Sequence, residues 1–230
     1  MNKVFLLFFI FISTTIFSQD KGYSGGFQFK GMIASNYFNG GTNLQNLDSV
    51  SLENKSNFGY VFGMTIRKSF NKTLGIESGL RFVQRNYTAI IDSTNGNYNG
   101  NLDYRIIGYE IPLKGLVTLR ASNNSIFVAG LGVQLDLYPS DVFKGDYYWQ
   151  VEIQRKSWIQ GSFLANIGWE IHPAKSGSFY TGFSFNQPFG DPFKALVGYY
   201  NSSRAITTYN LTGVYLSLDI RYYFEPKSGK

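Results

Sequence analysis

The chain has 230 residues, of which 18% are aromatic and 16% are charged, and its formal net charge is +6. This length suits one domain, but a soluble domain usually carries charge on about a quarter of its residues. The absence of cysteine excludes disulfide scaffolds, thiolate metal sites and a lipidated N-terminal cysteine. Mean hydropathy is −0.14 and no long apolar run follows residue 18, which excludes a helical membrane protein.

Residues 1–18 have the pattern of a cleaved secretion signal. Lys3 supplies the basic start, residues 4–12 are apolar, and the more polar residues 13–15 lead to an expected cleavage after Ser18. A short membrane anchor is the alternative, but the apolar run is too short and no basic flank follows it. Cleavage leaves 20 of the 21 basic residues against 15 acidic ones, a dispersed charge of +5 that does not indicate nucleic-acid binding.

The rest of the chain alternates apolar and polar residues with period two, which predicts β-strands. We expect eight strands, at residues 23–37, 57–70, 74–89, 105–119, 125–138, 158–171, 178–189 and 211–224. Short turns at 71–73, 121–124 and 172–177 alternate with long segments at 38–56, 90–104, 139–157 and 190–210, which are rich in Asn, Gly, Ser, Asp and Tyr. This layout predicts an all-β, eight-stranded antiparallel up-and-down transmembrane β-barrel, with short periplasmic turns and long extracellular loops.

The charged residues of the strands favour a membrane barrel over a soluble periplasmic one. Eleven of them share the glycine-rich face, which we expect to fill the lumen of so small a barrel as a salt-bridged network. They are Lys30, Arg67, Glu77, Arg81, Arg85, Glu110, Lys114, Asp136, Glu170, Asp219 and Arg221. A symmetric turn at 71–73 places Arg67 directly opposite Glu77. Pro112 on the same face predicts a bulge or local bend, because proline cannot donate to the ladder.

Aromatic residues cluster at the strand ends of the apolar face, as the girdles of a membrane barrel do. Tyr37, Phe58, Tyr60 and Tyr138 lie near the loop end, and Tyr23, Phe70, Trp169, Phe179, Tyr222 and Phe224 lie near the turn end. The alternative is that aromatic side chains simply favour strands.

The sequence resembles the PorT-like outer-membrane β-barrel family of Bacteroidetes-type bacteria. The residues that carry the resemblance are Gly108-Tyr109-Glu110-Ile111-Pro112-Leu113-Lys114, Gly75-Ile76-Glu77-Ser78-Gly79-Leu80-Arg81-Phe82, the closing Tyr222-Tyr223-Phe224 and the signal ending Ser18-Gln19. The resemblance spans the mature chain and implies the barrel fold, with location in the outer membrane. Outer-membrane barrels usually end in an aromatic residue, whereas a tail at 225–230 follows Phe224 here; either the tail is tolerated or the assembly signal is used internally.

The sequence offers little for catalysis. The single histidine, His172, lies in a turn expected in the periplasm, and the loop carboxylates Asp92, Asp103, Asp141, Asp146 and Asp191 have no spacing that favours a pair. We therefore expect no enzyme activity, no cofactor and no metal site.

Exposed aromatics in the long segments are the candidates for surface recognition, with packing over the barrel mouth as the favoured alternative. They are Tyr147, Tyr148, Trp149, Tyr199 and Tyr200. Lys144, Arg155 and Lys156 could meet lipopolysaccharide phosphates. The predicted function is envelope structure, adhesion or secretion-associated assembly, and the expected partners are outer-membrane lipid, lipopolysaccharide and the barrel-assembly machinery. A small passive channel is the second hypothesis, and an outer-membrane enzyme is the third.

Overall fold

The computed structural model describes residues 22–33, 43–47, 50–93, 99–147, 149–173, 177–199 and 205–224. The predicted signal at 1–18, the tail at 225–230 and the strand end at 34–37 lie outside these residues. The described residues form thirteen strands: β1 Tyr23–Ile33, β2 Asn43–Leu47, β3 Val50–Ser69, β4 Leu74–Ser93, β5 Asn99–Arg120, β6 Ser125–Leu137, β7 Val142–Gly145, β8 Trp149–Arg155, β9 Ile159–Ile171, β10 Ser178–Pro188, β11 Phe193–Tyr199, β12 Ala205–Leu211 and β13 Tyr215–Tyr223. In the described ranges, no helix is long and apolar enough to cross a membrane.

Eight of the strands pair into a closed antiparallel ring. Their order is β1-β13-β10-β9-β6-β5-β4-β3, and β3 pairs back onto β1. Each ring strand overlaps one of the predicted strands, and the expected all-β antiparallel class is confirmed. Ring closure satisfies the backbone hydrogen bonds of both β1 and β3, so neither strand presents a free edge along its paired residues.

The alternation along each ring strand separates an apolar outer face from a polar inner face. On β13, Leu218 and Ile220 are exposed, while Ser217, Asp219 and Arg221 are fully buried. The same inversion holds on β6, where Leu131, Val133 and Leu135 are exposed. In water this arrangement would be unfavourable because the apolar surface would remain hydrated.

The turns connect the ring strands at one end, which we call the turn side. Phe70 N–H and Asn71 N–H donate to Leu74 O, and the Asn71 side chain accepts from the backbone of Thr73 and Leu74. Ala121 and Ser122 close the next turn on Ser125 O. These tight closures fix the register of the strands that they join.

The strands show no bulge at Pro112, so that part of the expectation of a bulge or local bend is wrong. Its ladder to β6 is unbroken, and the ladder to β4 skips Ile111 and Pro112 but resumes in the same register at Glu110. The bulge lies instead in β3, between Asn57 and Tyr60. A proline is accommodated where the strand makes no hydrogen bond to its neighbour, so the ladder need not shift.

The prediction of loops at 139–157 and 190–210 is also wrong. These segments contain β7, β8, β11 and β12, which form a second antiparallel sheet in the order β12-β11-β8-β7, here called the cap sheet. The expected loops at 38–56 and 90–104 likewise contain β2 and extensions of β3, β4 and β5. The physical reason is that each segment carries a short apolar alternation, such as Trp149, Val151 and Ile153, which needs a second layer to bury it.

The cap sheet packs against the extended parts of β3, β4 and β5 at the end opposite the turns, the cap side. Their shared hydrophobic cluster, the cap core, contains large buried side chains from both layers. It comprises Leu52, Tyr87, Ala89, Ile91, Tyr104, Ile106, Tyr138, Trp149, Val151, Ile153, Phe193, Ala195, Val197, Tyr209 and Leu211. The molecule therefore has a polar core inside the ring and an apolar core at the cap side of the ring.

Candidate functional site

The interior of the ring holds all eleven charged residues that the sequence analysis placed there. Each has a relative exposure of 6% or less. Alternating strand geometry points these side chains to the same face that carries glycines. Gly168 and Gly182 leave room on this face for the Tyr180 side chain, because a Cβ on either residue would lie 2.6 Å from the Tyr180 hydroxyl.

On the turn side, three cations converge on the carboxylate of Glu77. Arg67 Nη2 lies 3.3 Å from Oε2, Lys114 Nζ lies 2.5 Å from Oε1, and Arg221 Nη1 lies 2.8 Å from Oε1. The Tyr223 hydroxyl donates to Oε2 at 2.5 Å. Strand register explains part of this convergence, since Arg67 and Lys114 are the two direct cross-strand neighbours of Glu77.

Two further acids balance these three cations. Glu170 Oε2 lies 2.6 Å from Arg67 Nη1, and Asp219 Oδ2 lies 2.5 Å from Arg221 Nη2. Ser178 donates to Glu170, while Gln28 and Ser184 donate to Asp219. This turn-side cluster, formed by Arg67, Glu77, Lys114, Glu170, Asp219 and Arg221, thus has three positive and three negative groups. Such pairing offsets the large cost of removing charge from water.

Most of the remaining charged residues form a looser cap-side cluster around Glu110. Arg81 Nη1 and Arg85 Nη2 each lie 3.8 Å from a Glu110 carboxylate oxygen, and the Tyr215 hydroxyl donates to Oε1 at 2.8 Å. Asp136 accepts hydrogen bonds from Gln134 and Ser162. The cap-side cluster thus consists of Arg81, Arg85, Glu110 and Asp136, and Lys30, also buried, lies directly opposite Asp219 of the turn-side cluster.

Arg85 connects this cluster to the cap core. Its guanidinium Cζ lies 5.7 Å from the centroid of the Tyr138 ring, and Nη1 donates to the Tyr138 hydroxyl at 3.4 Å. Tyr138 in turn packs edge-to-face on Phe193 of the cap sheet, with centroids 4.6 Å apart. The expected membrane-girdle position of Tyr138 is therefore wrong, because its ring is buried beneath the cap sheet.

The cap core also buries phenol groups. The Tyr104 hydroxyl donates to Asn54 Oδ1 at 2.6 Å, and burial raises the pKa of Tyr104 well above its ordinary value. Burial likewise raises the pKa of Tyr209 to about 12. Both phenols are protonated at neutral pH, so the cap core carries no charge at these positions.

The aromatic candidates for surface recognition have different environments. Tyr147 is 89% exposed at the β7–β8 turn, whereas Trp149 is fully buried in the cap core. Recognition by Trp149 is therefore contradicted, because its side chain has no exposed surface. Tyr148, Tyr200 and the side chain of Tyr199 lie outside the described residues. Two exposed aromatics that sequence analysis missed, Trp158 and Phe189, flank the cap side of the outer face.

His172 lies beside Glu170 on the turn side of the ring. Its Nε2 lies 3.2 Å from Glu170 Oε1, but Ser178 donates its hydroxyl to Glu170 and not to His172. A general base would need to accept the proton of the nucleophile directly. The described part of the chain holds no group of three or more side chains suited to a metal ion.

No protein-family model and no curated protein matches the sequence. Among solved structures, the chain is similar to the outer membrane protein OprG from Pseudomonas aeruginosa, with a TM-score of 0.54 and 14% identity, over 89% of this chain and 96% of that one. It is also similar to the outer membrane protease OmpT from Escherichia coli, with a TM-score of 0.33 and 10% identity over 88% and 93% of the two chains. A third similar structure is the β domain of the Bordetella autotransporter Brka, with a TM-score of 0.34 and 13% identity over 88% of this chain and 98% of that one. The similarity to OprG shows that the chain shares its fold.

Proposed function

We propose that this protein is an eight-stranded transmembrane β-barrel of the outer membrane, with a packed interior and a structural or surface-interaction role. The observation that carries the proposal is the inverted ring, which exposes aliphatic and aromatic side chains while burying eleven charged ones. A closed ring satisfies every backbone group in lipid, and lipid is the solvent in which the exposed face is stable. The shared fold with OprG, an outer membrane protein, supports the same location.

The height of the apolar band fits a bilayer. On β4 the outward side chains from Leu74 to Phe82 are apolar except for Ser78, and they become polar at Gln84 and Asn86. On β5 the apolar outward face runs over residues 107–119, slightly longer than the 9–11 residues that a tilted strand needs to cross a bilayer. The remaining length of β3, β4 and β5 then stands outside the bilayer and carries the cap sheet.

A closed interior supports a non-enzymatic and non-conducting role. The turn-side cluster places paired side chains across the ring from β3, β4, β5, β9 and β13, and the cap core lies over the other end. The second hypothesis, a small passive channel, requires a water path past both. Purified protein in a planar bilayer should give no stepwise ion current; a reproducible single-channel current would favour the channel.

Contact with lipid and lipopolysaccharide remains part of the proposal. Arg155 lies 4.3 Å from the exposed Trp158 ring, and Lys156 pairs with Asp191 at 3.5 Å. Cations beside a headgroup-level aromatic suit an anionic lipid surface. Tyr147 and Phe143 project from the β7–β8 hairpin and are the proposed contacts for a protein partner.

Membership of the PorT-like family and use of the barrel-assembly machinery are likewise proposed, on the motif resemblance alone. The location is tested by expressing the full chain and separating the membranes. Recovery in the outer membrane, with migration on detergent gels that changes on heating, is expected. Recovery as a soluble periplasmic protein without detergent would refute the proposed function.

A further inference from the structure

The outer face of the ring carries a groove of about 730 Å³ on the strands from β4 to β13. The groove exists because outward positions on three neighbouring strands are small: Gly115 on β5, Ala129 on β6 and Ala165 on β9. Bulky apolar side chains, among them Leu131 and Phe183, border it. Sites for small molecules occupy roughly 300–1,000 Å³, so the groove has the size and the lining for an apolar ligand.

The groove crosses the strands and reaches the turn side of the ring. Register pairs Gly115 with Leu131 and Leu131 with Ala165, which places these residues in one row across β5, β6 and β9. Leu74 lines the groove at its turn-side end. Five spacings between strands separate β4 from β13 in the ring, a distance of about 24 Å. This is long enough for an acyl chain, since one leaflet supplies only about half of the roughly 30 Å hydrocarbon core.

Two exposed cations lie at the turn-side end of the groove. Lys72 belongs to the turn that precedes Leu74. The Thr118 hydroxyl donates to Lys72 O at 3.0 Å, which holds this turn against β5. Arg120 follows two residues later on β5, and its guanidinium donates to uncharged acceptors in the next turn. Because these acceptors carry no charge, they do not neutralise Arg120.

The acids on the outside of the molecule lie at the other end. Among the described residues, the acids of the two charge clusters are inside the ring, and every other acid lies on the cap side, from Glu53 on β3 to Asp191 before β11. The outer rim at the turn side, in the part of the chain that the structure describes, thus carries Lys68, Lys72 and Arg120 and no carboxylate. A cationic rim beside an apolar groove complements an anionic headgroup that is joined to an acyl chain.

We propose that the groove and the two cations beside it bind one anionic phospholipid from the leaflet on the turn side. One acyl chain lies along the row of small residues, and the phosphate meets Lys72 and Arg120. The inference rests on the proposed function, because the outer face meets lipid only if the ring spans a membrane. It assigns a selective lipid site to the turn side, whereas the exposed cations Arg155 and Lys156 of the cap side are paired with acids.

The headgroup part of the site is tested by titrating the full protein with single lipids in a neutral detergent and counting bound lipids by native mass spectrometry. The wild type should bind one dioleoylphosphatidylglycerol at a concentration roughly 20-fold lower than dioleoylphosphatidylcholine, which has no net charge. Lys72→Gln and Arg120→Gln should each weaken the phosphatidylglycerol complex about fivefold and leave the phosphatidylcholine complex unchanged. Lys194→Gln, at an exposed cation of the cap sheet, is the matched control and should retain the preference.

The acyl-chain part is tested by filling the groove. A Cβ on Gly115 meets Leu131 O at 3.9 Å, an ordinary contact, so Gly115→Leu occupies the groove without displacing the ring. It should weaken both lipid complexes about tenfold, the effect of uncovering about two methylenes, and leave their ratio unchanged. Thr181→Leu adds apolar bulk to the outer face outside the groove and should have no effect. Ala165→Leu replaces Gly115→Leu if the latter lacks heat-modifiable migration.

Three results would overturn the proposal. They are equal affinity of the wild type for the two lipids, equal losses from Lys72→Gln and Lys194→Gln, and a dimer that Gly115→Leu dissociates, because a second copy of the chain would then fill the groove. A heat-modifiable protein recovered from the outer membrane without a lipid preference would refute this inference alone. A soluble periplasmic protein would refute the proposed function as well.

Discussion

Glu77 is the residue on which the interior of the ring most depends. It contacts Arg67, Lys114 and Arg221, which come from three different strands, and it also accepts a hydrogen bond from the Tyr223 hydroxyl. The Arg67–Glu77 pair follows from a symmetric turn and could be predicted. The contact with Arg221 could not, because it joins residues 144 positions apart and depends on how the ring closes.

Removing the Glu77 charge should be severely destabilising. Glu77→Gln leaves three buried cations with one fewer acid, and breaking a buried pair of this kind costs about 3–5 kcal/mol. The free energy of unfolding by urea in phospholipid vesicles measures this cost. Glu53→Gln, in a partly exposed pair with Lys55, is the control and should cost no more than about 1 kcal/mol. Equal effects of the two variants would mean that the Glu77 cluster does not hold the ring together.

Gly168 provides a second test at this scale. A Cβ there would lie 2.4 Å from Thr181 O and 2.6 Å from the Tyr180 hydroxyl. Gly168→Ala should therefore displace Tyr180 and destabilise the ring by about 1–3 kcal/mol. Gly190→Ala meets nothing within 4 Å and should change the free energy of unfolding by less than about 1 kcal/mol. If Gly168→Ala left the free energy of unfolding unchanged, the close packing around Tyr180 would not be required for the stability of the ring.

At the scale of elements, the ring strands were predictable and the cap strands were not. Ring strands such as β13 alternate apolar and polar residues over their whole length, so period two identifies them. The strands of the cap sheet have 4 to 7 residues and are flanked by Gly, Asn and Asp, which gives the composition of loops. Their apolar face becomes evident only when the extended β3–β5 layer is present to cover it.

The cap sheet should unfold separately from the ring when the cap core is weakened. Phe193→Ala removes a buried ring that packs on Tyr138, at an expected cost of about 3–5 kcal/mol to the cap. Protease added to intact cells should then cleave within 139–157 or 190–210, while heat-modifiable migration of the ring persists. Lys194→Ala, on the exposed face of the same strand, should leave the cap resistant. Loss of the ring together with the cap would contradict this independence.

At the scale of the whole molecule, the low fraction of charged residues is explained by the different chemistry of the outer and inner faces of the ring. The shortage of charge reflects an outer face of exposed apolar side chains, and the charges of the ring strands lie mainly inside. The division of that interior into a balanced turn-side cluster and a looser cap-side cluster was not predictable, because it depends on distances between side chains. The sequence identifies which residues face inward, and the closed ring decides which of them meet.

The direct test is to measure which face of β13 contacts lipid. The chain has no cysteine, so single-cysteine variants at Ser217, Leu218, Asp219 and Ile220 can each carry a nitroxide spin label without interference. In phospholipid vesicles, labels at Leu218 and Ile220 should collide readily with oxygen and poorly with a water-soluble nickel chelate. Labels at Ser217 and Asp219 should be inaccessible to both. High accessibility of Leu218 and Ile220 to the nickel chelate would show that the apolar face is in water, and would contradict a transmembrane barrel.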